Sequence, residues 1–385
     1  MNQRLSISEL ESRLRDPDVP EKQLRKYFKV EPNPAKPFSP TVSVDHELVD
    51  VDMDPVTEAA MVQDWIIQAA LERRQEQYRR KIAAGWPGMR FVAEGDSWFQ
   101  YPSFLFVDGS DIIDNLFDQY AIFCSSFAGD TFREILEDLD ELESSIASEN
   151  ASALLFSAGG NDLVGRDQQD ERGVGLGRFI LGYSPAHPDR PAAEYINTYY
   201  STFLEGITDD YRHMVERLLA SFPDLKIFYH GYDRAYPRWQ GTWLYPALHE
   251  KQIPEALWPG VVAEFINRFN ESLIALAAEH PDHVYHVDCR GAIGAEDQWR
   301  DELHGKGPGC ERAAANASSL HSGLLHASAP IQLLIQCTQP LAMKPCGFNR
   351  VGVFTLRPLP EHRFSAPCRL ASTSCNQRIE PPRAK

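Results

Sequence analysis

Ser97 stands in Gly95-Asp96-Ser97-Trp98, directly behind the apolar run Phe91-Val92-Ala93. A serine hydroxyl is a weak nucleophile at neutral pH. It needs a base to take its proton and a third group to orient that base. Asp301-Glu302-Leu303-His304 supplies both residue types within one turn of chain, so the carboxylate of Asp301 and the imidazole of His304 can meet. Two further blocks, Gly129-Asp130-Thr131 and Gly159-Gly160-Asn161-Asp162, lie between them and offer candidate donors to an oxyanion. Taken singly each block is ordinary, since Gly-Asp-Ser, a lone glycine and an asparagine all suit turns and caps. Their joint occurrence in one order carries the chemistry: attack by Ser97, proton transfer through His304 and orientation by Asp301.

Other chemistries find less support. Gly173-Val174-Gly175-Leu176-Gly177 is glycine-rich, but Arg178 stands where a dinucleotide-binding loop needs its last glycine. The chain contains no HExxH, CxxC or GxxxxGK, and neither the Asp-x-His nor the Gly-Asn-His of a metallophosphoesterase. No metal and no cofactor is therefore expected. In their order the four blocks resemble those of the SGNH (GDSL-like) hydrolase family, which carry Ser, Gly, Asn and His from first to last. The resemblance spans Gly95 to His304 and implies a serine ester hydrolase cleaving an acetyl or other short acyl ester. It further implies an oxyanion hole made by the backbone N–H groups of Ser97 and Gly129 and the side-chain amide of Asn161. Two departures stand out. Trp98 replaces the family's usual leucine, and Gly305-Lys306-Gly307-Pro308-Gly309 occupies the place where a helix usually begins.

The elements that must hold these residues follow from periodicity. Short apolar runs at Phe91–Ala93, Ala121–Phe127, Ala153–Ser157, Ile227–Tyr229 and Val284–Val287 alternate with amphipathic stretches, notably Thr131–Ile146, Tyr195–Phe222 and Val261–Ala278. Strands spaced by helices predict an α/β fold, a three-layer α/β/α arrangement with a parallel sheet of the SGNH or flavodoxin-like kind. Gly129 and Asn161 each follow a strand run, where such sheets place their ligands. The expected division has four parts. Residues 1–55 form a small helical appendage and linker, with a capping box at Ser6-Ile7-Ser8-Glu9. Residues 56–84 form a connecting helix, 85–315 the hydrolase domain, and 316–385 a poorly structured tail. Within the domain, Trp98, Asp233, Arg234, Trp239 and Trp243 are expected to contact substrate, because aromatic loops at strand ends build pocket walls.

Composition bounds the partners. With 38 basic against 55 acidic residues the net charge is −17, which disfavours nucleic acid, whose phosphates need basic patches. No apolar run reaches the ~20 residues of a membrane span, and Met1–Ser6 lacks a secretory leader, so a cytoplasmic location is expected. Every Trp, Tyr and Asp precedes position 305, whereas five of the seven cysteines follow it. That shift in composition motivates the tail boundary. The expected partners are a small-molecule or glycan acyl ester, with residues 1–55 available to dock on a protein. A contrasting reading makes the chain a degraded hydrolase fold that acts as a binding module.

Overall fold

The computed structural model describes residues 4–31, 41–51, 55–101, 105, 110–165 and 175–326. The N-terminal segment runs through β1 (Leu5–Ser6), α1 (Ile7–Arg15), α2 (Glu21–Leu24), β2 (Phe28–Glu31), β3 (Thr41–Val44) and β4 (Val49–Asp50). The long helix α3 (Pro55–Ala83) follows. The capping box at Ser6 is formed: its hydroxyl accepts from the Glu9 N–H, and the Glu9 carboxylate accepts from the Ser6 N–H at 2.9 Å. Short strands accompany the expected helices: β1 pairs parallel with β4, and β2 antiparallel with β3. Leu10, Leu14, Leu24, Val42, Val44 and Val49 pack with Val62, Ile66 and Ala69 of α3 into a core of their own. Helix α3 also reaches the main domain, where its Gln75 side chain donates to the Cys124 carbonyl at 3.0 Å. It is thus shared by both parts.

The main domain continues with β5 (Arg90–Gly95), α4 (Ile112–Leu116), β6 (Ala121–Cys124), α5 (Phe132–Glu137), α6 (Leu139–Ser148) and β7 (Ala153–Ser157). Next come α7 (Gly160–Val164), α8 (Gly175–Phe179), α9 (Thr198–Ser221), β8 (Lys226–His230), α10 (Tyr245–Glu250), α11 (Trp258–Ala277), β9 (Val284–Val287) and α12 (Gly307–His326). Strands β5 to β9 form one parallel sheet in the order β6-β5-β7-β8-β9. The expected α/β architecture is therefore present. Val92, Leu154, Phe156 and Ile227 face the layer of α5, α6, α9 and α11, while Phe91, Ala93, Leu155 and Phe228 face the layer of α4 and α12. Alternate residues of one strand are buried on opposite faces, as a sheet covered on both sides requires.

The chain leaves β5 toward β6 on one side and returns to β7 on the other. The carboxyl ends of these strands therefore diverge, opening the crevice where open α/β sheets bind ligands. Ser97 follows β5, Gly129 follows β6, Asn161 lies just beyond β7 and His304 follows β9. Gly95 is fixed by close approach: its φ is +153°, and a Cβ there would sit 2.4 Å from the Ser157 carbonyl oxygen. Downstream, the glycine-rich stretch after His304 does not interrupt helical structure. Helix α12 begins at Gly307 and runs past the expected boundary at 315 to His326, burying Ala313, Ala314 and Ala317. Small side chains let it lie close to α4 and β9. The rest of the tail expected at 316–385 lies outside the described residues.

Candidate active site

Strand β5 ends in a tight turn. The Asp96 carbonyl accepts from the N–H groups of Phe99 and Gln100, both at 3.0 Å, so the chain coils immediately after Ser97. Arg74 of α3 braces this turn from behind. Its guanidinium donates to the Phe99 carbonyl at 2.6 Å, the Gln100 side chain at 2.7 Å and the Asp111 carboxylate at 2.5 Å. Ser97 is thereby presented on a fixed backbone, yet it is only 4% exposed.

Ser97 Oγ lies 2.8 Å from His304 Nε2, across 207 residues of sequence. On the far side of the ring, His304 Nδ1 lies 2.8 and 3.0 Å from the two carboxylate oxygens of Asp301. An ionised carboxylate only accepts, so Nδ1 carries the hydrogen and Nε2 is left to accept from the serine hydroxyl. Asp301 Oδ1 also accepts the N–H groups of Leu303 and His304 at 2.8 Å each. Burial pushes the Asp301 pKa up, but the charge and hydrogen bond of His304 and these two N–H groups hold it below the usual carboxylate value. The structure thus brings Ser97, His304 and Asp301 together. The Tyr101 ring covers the imidazole, with centroids 4.4 Å apart.

Asn161 sits in the first turn of α7, 4% exposed, and donates through Nδ2 to the Asp130 carbonyl at 2.6 Å. That bond leaves its second amide hydrogen over. Gly129, at φ +101°, opens the turn before Asp130. Among the described residues, neither the Ser97 N–H nor the Gly129 N–H meets an acceptor. An unpartnered N–H is a donor that a developing negative charge can use.

Four buried groups hold this arrangement through contacts that the sequence does not disclose. The first is Asp96, whose Oδ1 accepts from Ser157 Oγ at 2.8 Å and the Trp98 N–H at 3.0 Å, and whose Oδ2 accepts from the Tyr232 hydroxyl at 2.5 Å. Burial raises the Asp96 pKa, even though these donors act against it. The second is Tyr232, whose hydroxyl also accepts the Gly160 N–H at 3.0 Å and so links the Ser97 turn to the Asn161 turn. Third, Glu302 accepts four backbone N–H groups, those of Arg238, Trp243, Leu244 and Tyr245, at 2.6–3.1 Å. Fourth, Asp233 accepts the N–H groups of Arg234 and Gly291 at 2.6 Å and of Ile293 at 2.7 Å. The last two fasten the strand-end loops that carry Asp301 and His304. Asp233 and Glu302 are carboxylates aimed at backbone N–H groups, and Asp96 and Tyr232 are joined to one another across the site; no spacing rule reveals either arrangement.

Beside Ser97 lies a cavity of about 50 Å³. Of the residues expected to contact substrate, Trp98 and Asp233 line it. Trp98 donates Nε1–H to the Leu303 carbonyl at 3.2 Å. Arg234, Trp239 and Trp243 do not line it. Arg234 is exposed and reaches Asn267 at 3.1 Å, and Trp243 is buried against the main core. Trp239 is 57% exposed and stacks on Trp258 with centroids 6.0 Å apart. Among the described residues no group of acidic, histidine or cysteine side chains is arranged to hold a metal ion. No described helix is long and apolar enough to cross a membrane.

No family model matches the chain, and no curated protein does. Solved structures similar to it include a family 3 carbohydrate esterase from Clostridium thermocellum, 13% identical, covering 62% of this chain and 97% of that one at a TM-score of 0.35. The lipase Lip_vut3 from a goat rumen metagenome is 14% identical, covering 60% and 97% at a TM-score of 0.41. An extracellular lipase from Streptomyces rimosus is 13% identical, covering 60% and 99% at a TM-score of 0.40.

Proposed function

We propose that this chain is a serine ester hydrolase of the SGNH type, acting on esters of short acyl groups. The single observation that carries the reading is the Ser97–His304–Asp301 series, its serine and imidazole buried, with 2.8 Å contacts on both sides of the ring. Ser97 Oγ attacks the ester carbonyl carbon as His304 Nε2 takes the hydroxyl proton. The carbonyl electron pair moves onto oxygen, and the N–H groups of Ser97 and Gly129 and the Asn161 amide stabilise it there. Collapse of this intermediate expels the alcohol oxygen, which leaves with the proton from His304. Water then attacks the acyl-serine by the same route, giving the carboxylic acid and regenerating Ser97. Asp301 keeps Nδ1 protonated and offsets the positive charge that the ring gains in each half-reaction. Losing one oxyanion donor in such a site costs about a hundredfold or more in rate.

The test is covalent labelling with a fluorophosphonate, followed by mapping of the modified residue. Labelling of Ser97, together with loss of p-nitrophenyl butyrate hydrolysis in Ser97→Ala at unchanged circular dichroism, supports the assignment. Full activity in that variant, or labelling elsewhere, defeats it.

A further inference from the structure

The cavity beside Ser97 has an uneven chemistry. Its walls from α7, α8 and α11 are apolar, including Leu163, Leu176, Val262, Phe265, Ile266 and Phe269. Its polar side chains gather at the Ser97 end, and most are already engaged. Asp96 and Asp233 have every oxygen occupied by internal donors, and the Tyr232 hydroxyl both donates to Asp96 and accepts from Gly160. Only Ser97, His304 and Asn161, the reacting groups themselves, remain to face a ligand. A sugar hydroxyl or an amino group placed deep in this space would lose its water without gaining a partner, which is costly. A hydrocarbon chain would lose nothing.

We infer that this cavity is the acyl site, and that it selects an unbranched, unsubstituted aliphatic acyl group of butyryl to hexanoyl length. The inference rests on the hydrolase reading above. The carbonyl carbon must sit at Ser97 with its oxygen toward Asn161, and both residues lie in the cavity wall, so the acyl chain points inward along the α11 face. Its length follows from volume. A cavity of about 50 Å³ suits an acyl chain of a few carbons beyond the carbonyl and not a long one. The alcohol part of the ester then stays outside, and any sugar or other polar alcohol is accommodated there, not in the cavity.

The experiment compares p-nitrophenyl esters from acetyl to decanoyl, together with alkyl fluorophosphonates of matching lengths, on the full chain. Each methylene that enters the cavity raises kcat/KM and the labelling rate about fourfold. The expected profile climbs from acetyl, peaks between butyryl and hexanoyl, and falls by octanoyl. Val262→Phe, which fills the α11 wall, lowers the butyryl-to-acetyl ratio at least tenfold. Ile266→Ala, which enlarges the same wall, moves the peak to longer chains and serves where Val262→Phe fails to fold. A profile highest at acetyl, or one that neither variant shifts while Ser97 still labels, overturns the acyl-site inference alone. Absence of both ester turnover and Ser97 labelling at every length overturns the hydrolase reading, and the inference with it.

Discussion

Replacing Tyr232 with phenylalanine removes one oxygen atom and tests how the two halves of the site are joined. Tyr232 has a φ of +65°, a region a bulky side chain enters only when its surroundings hold it there. The ring is held by edge contacts to Trp98 and His230 and by a stack on Phe269, all of which phenylalanine keeps. The hydroxyl is held by Asp96 and Gly160, and both bonds disappear. The bond to the buried Asp96 carboxylate is charge-assisted and contributes about 1.5–3 kcal/mol, while the orphaned Gly160 N–H costs about 1–3 kcal/mol. Asp96 keeps two donors, Ser157 and the Trp98 N–H, so the loss is partial, and the sum comes to roughly 3–5 kcal/mol. For a chain of this size that corresponds to a fall of roughly 5–10 °C in Tm. Asn161 follows Gly160 directly, so its amide loses definition against Ser97. Because one complete oxyanion donor is worth about a hundredfold, a loosened one should cost at least about tenfold in kcat with little change in KM. Thermal melting and butyryl ester kinetics at 25 °C, well below the transition, measure both effects. A Tyr232→Phe protein that melts with the parent and turns over at the parental rate refutes the reasoning.

Asp301→Asn should fold normally but lose about three orders of magnitude in kcat, since an amide no longer fixes the proton on His304 Nδ1. Parental kinetics in that variant would remove Asp301 from the mechanism. Glu302→Gln should destabilise by about 3 kcal/mol or more, because an NH₂ group would face two of the four N–H donors now accepted. An unchanged melting temperature would show that the Arg238–Tyr245 loop is held by other means. Asp130 gives the pH test. Burial, with Glu94 and Glu134 nearby, pushes its pKa up to about 7, so the folded protein binds more protons there than the unfolded chain. Stability therefore falls as pH rises from about 4 to about 7. Asp130→Asn should gain on the order of 1–3 kcal/mol over the parent at about pH 8 and nothing at about pH 4. Equal differences at both pH values would contradict this sign.

What the sequence disclosed and what it hid divide along a physical line. Strands β5 to β9 are legible because short continuous apolar runs between amphipathic stretches suit strands buried on both faces. The four blocks are legible as candidates because a serine, an asparagine and an Asp-His pair stand beyond the ends of such runs, and the structure brings Ser97, His304 and Asp301 together. Helix α12 was obscured by glycines at its start, yet Ala313, Ala314 and Ala317 are what a helix needs in order to lie close to α4. Asp233 and Trp243 resemble substrate residues in sequence, since acidic and aromatic side chains at strand ends serve pockets and loops alike. Their surroundings separate the two uses: the Asp233 carboxylate accepts three backbone N–H groups, and the Trp243 ring is buried in the main core. A carboxylate with internal donors on both oxygens has little capacity left for a ligand. The polar groups nearest Ser97 therefore sort by saturation, with Asp96, Asp233, Glu302 and Tyr232 satisfied within the protein. The Ser97 and Gly129 N–H groups and the second Asn161 hydrogen are left over, and these are the donors that the proposed mechanism assigns to the oxyanion.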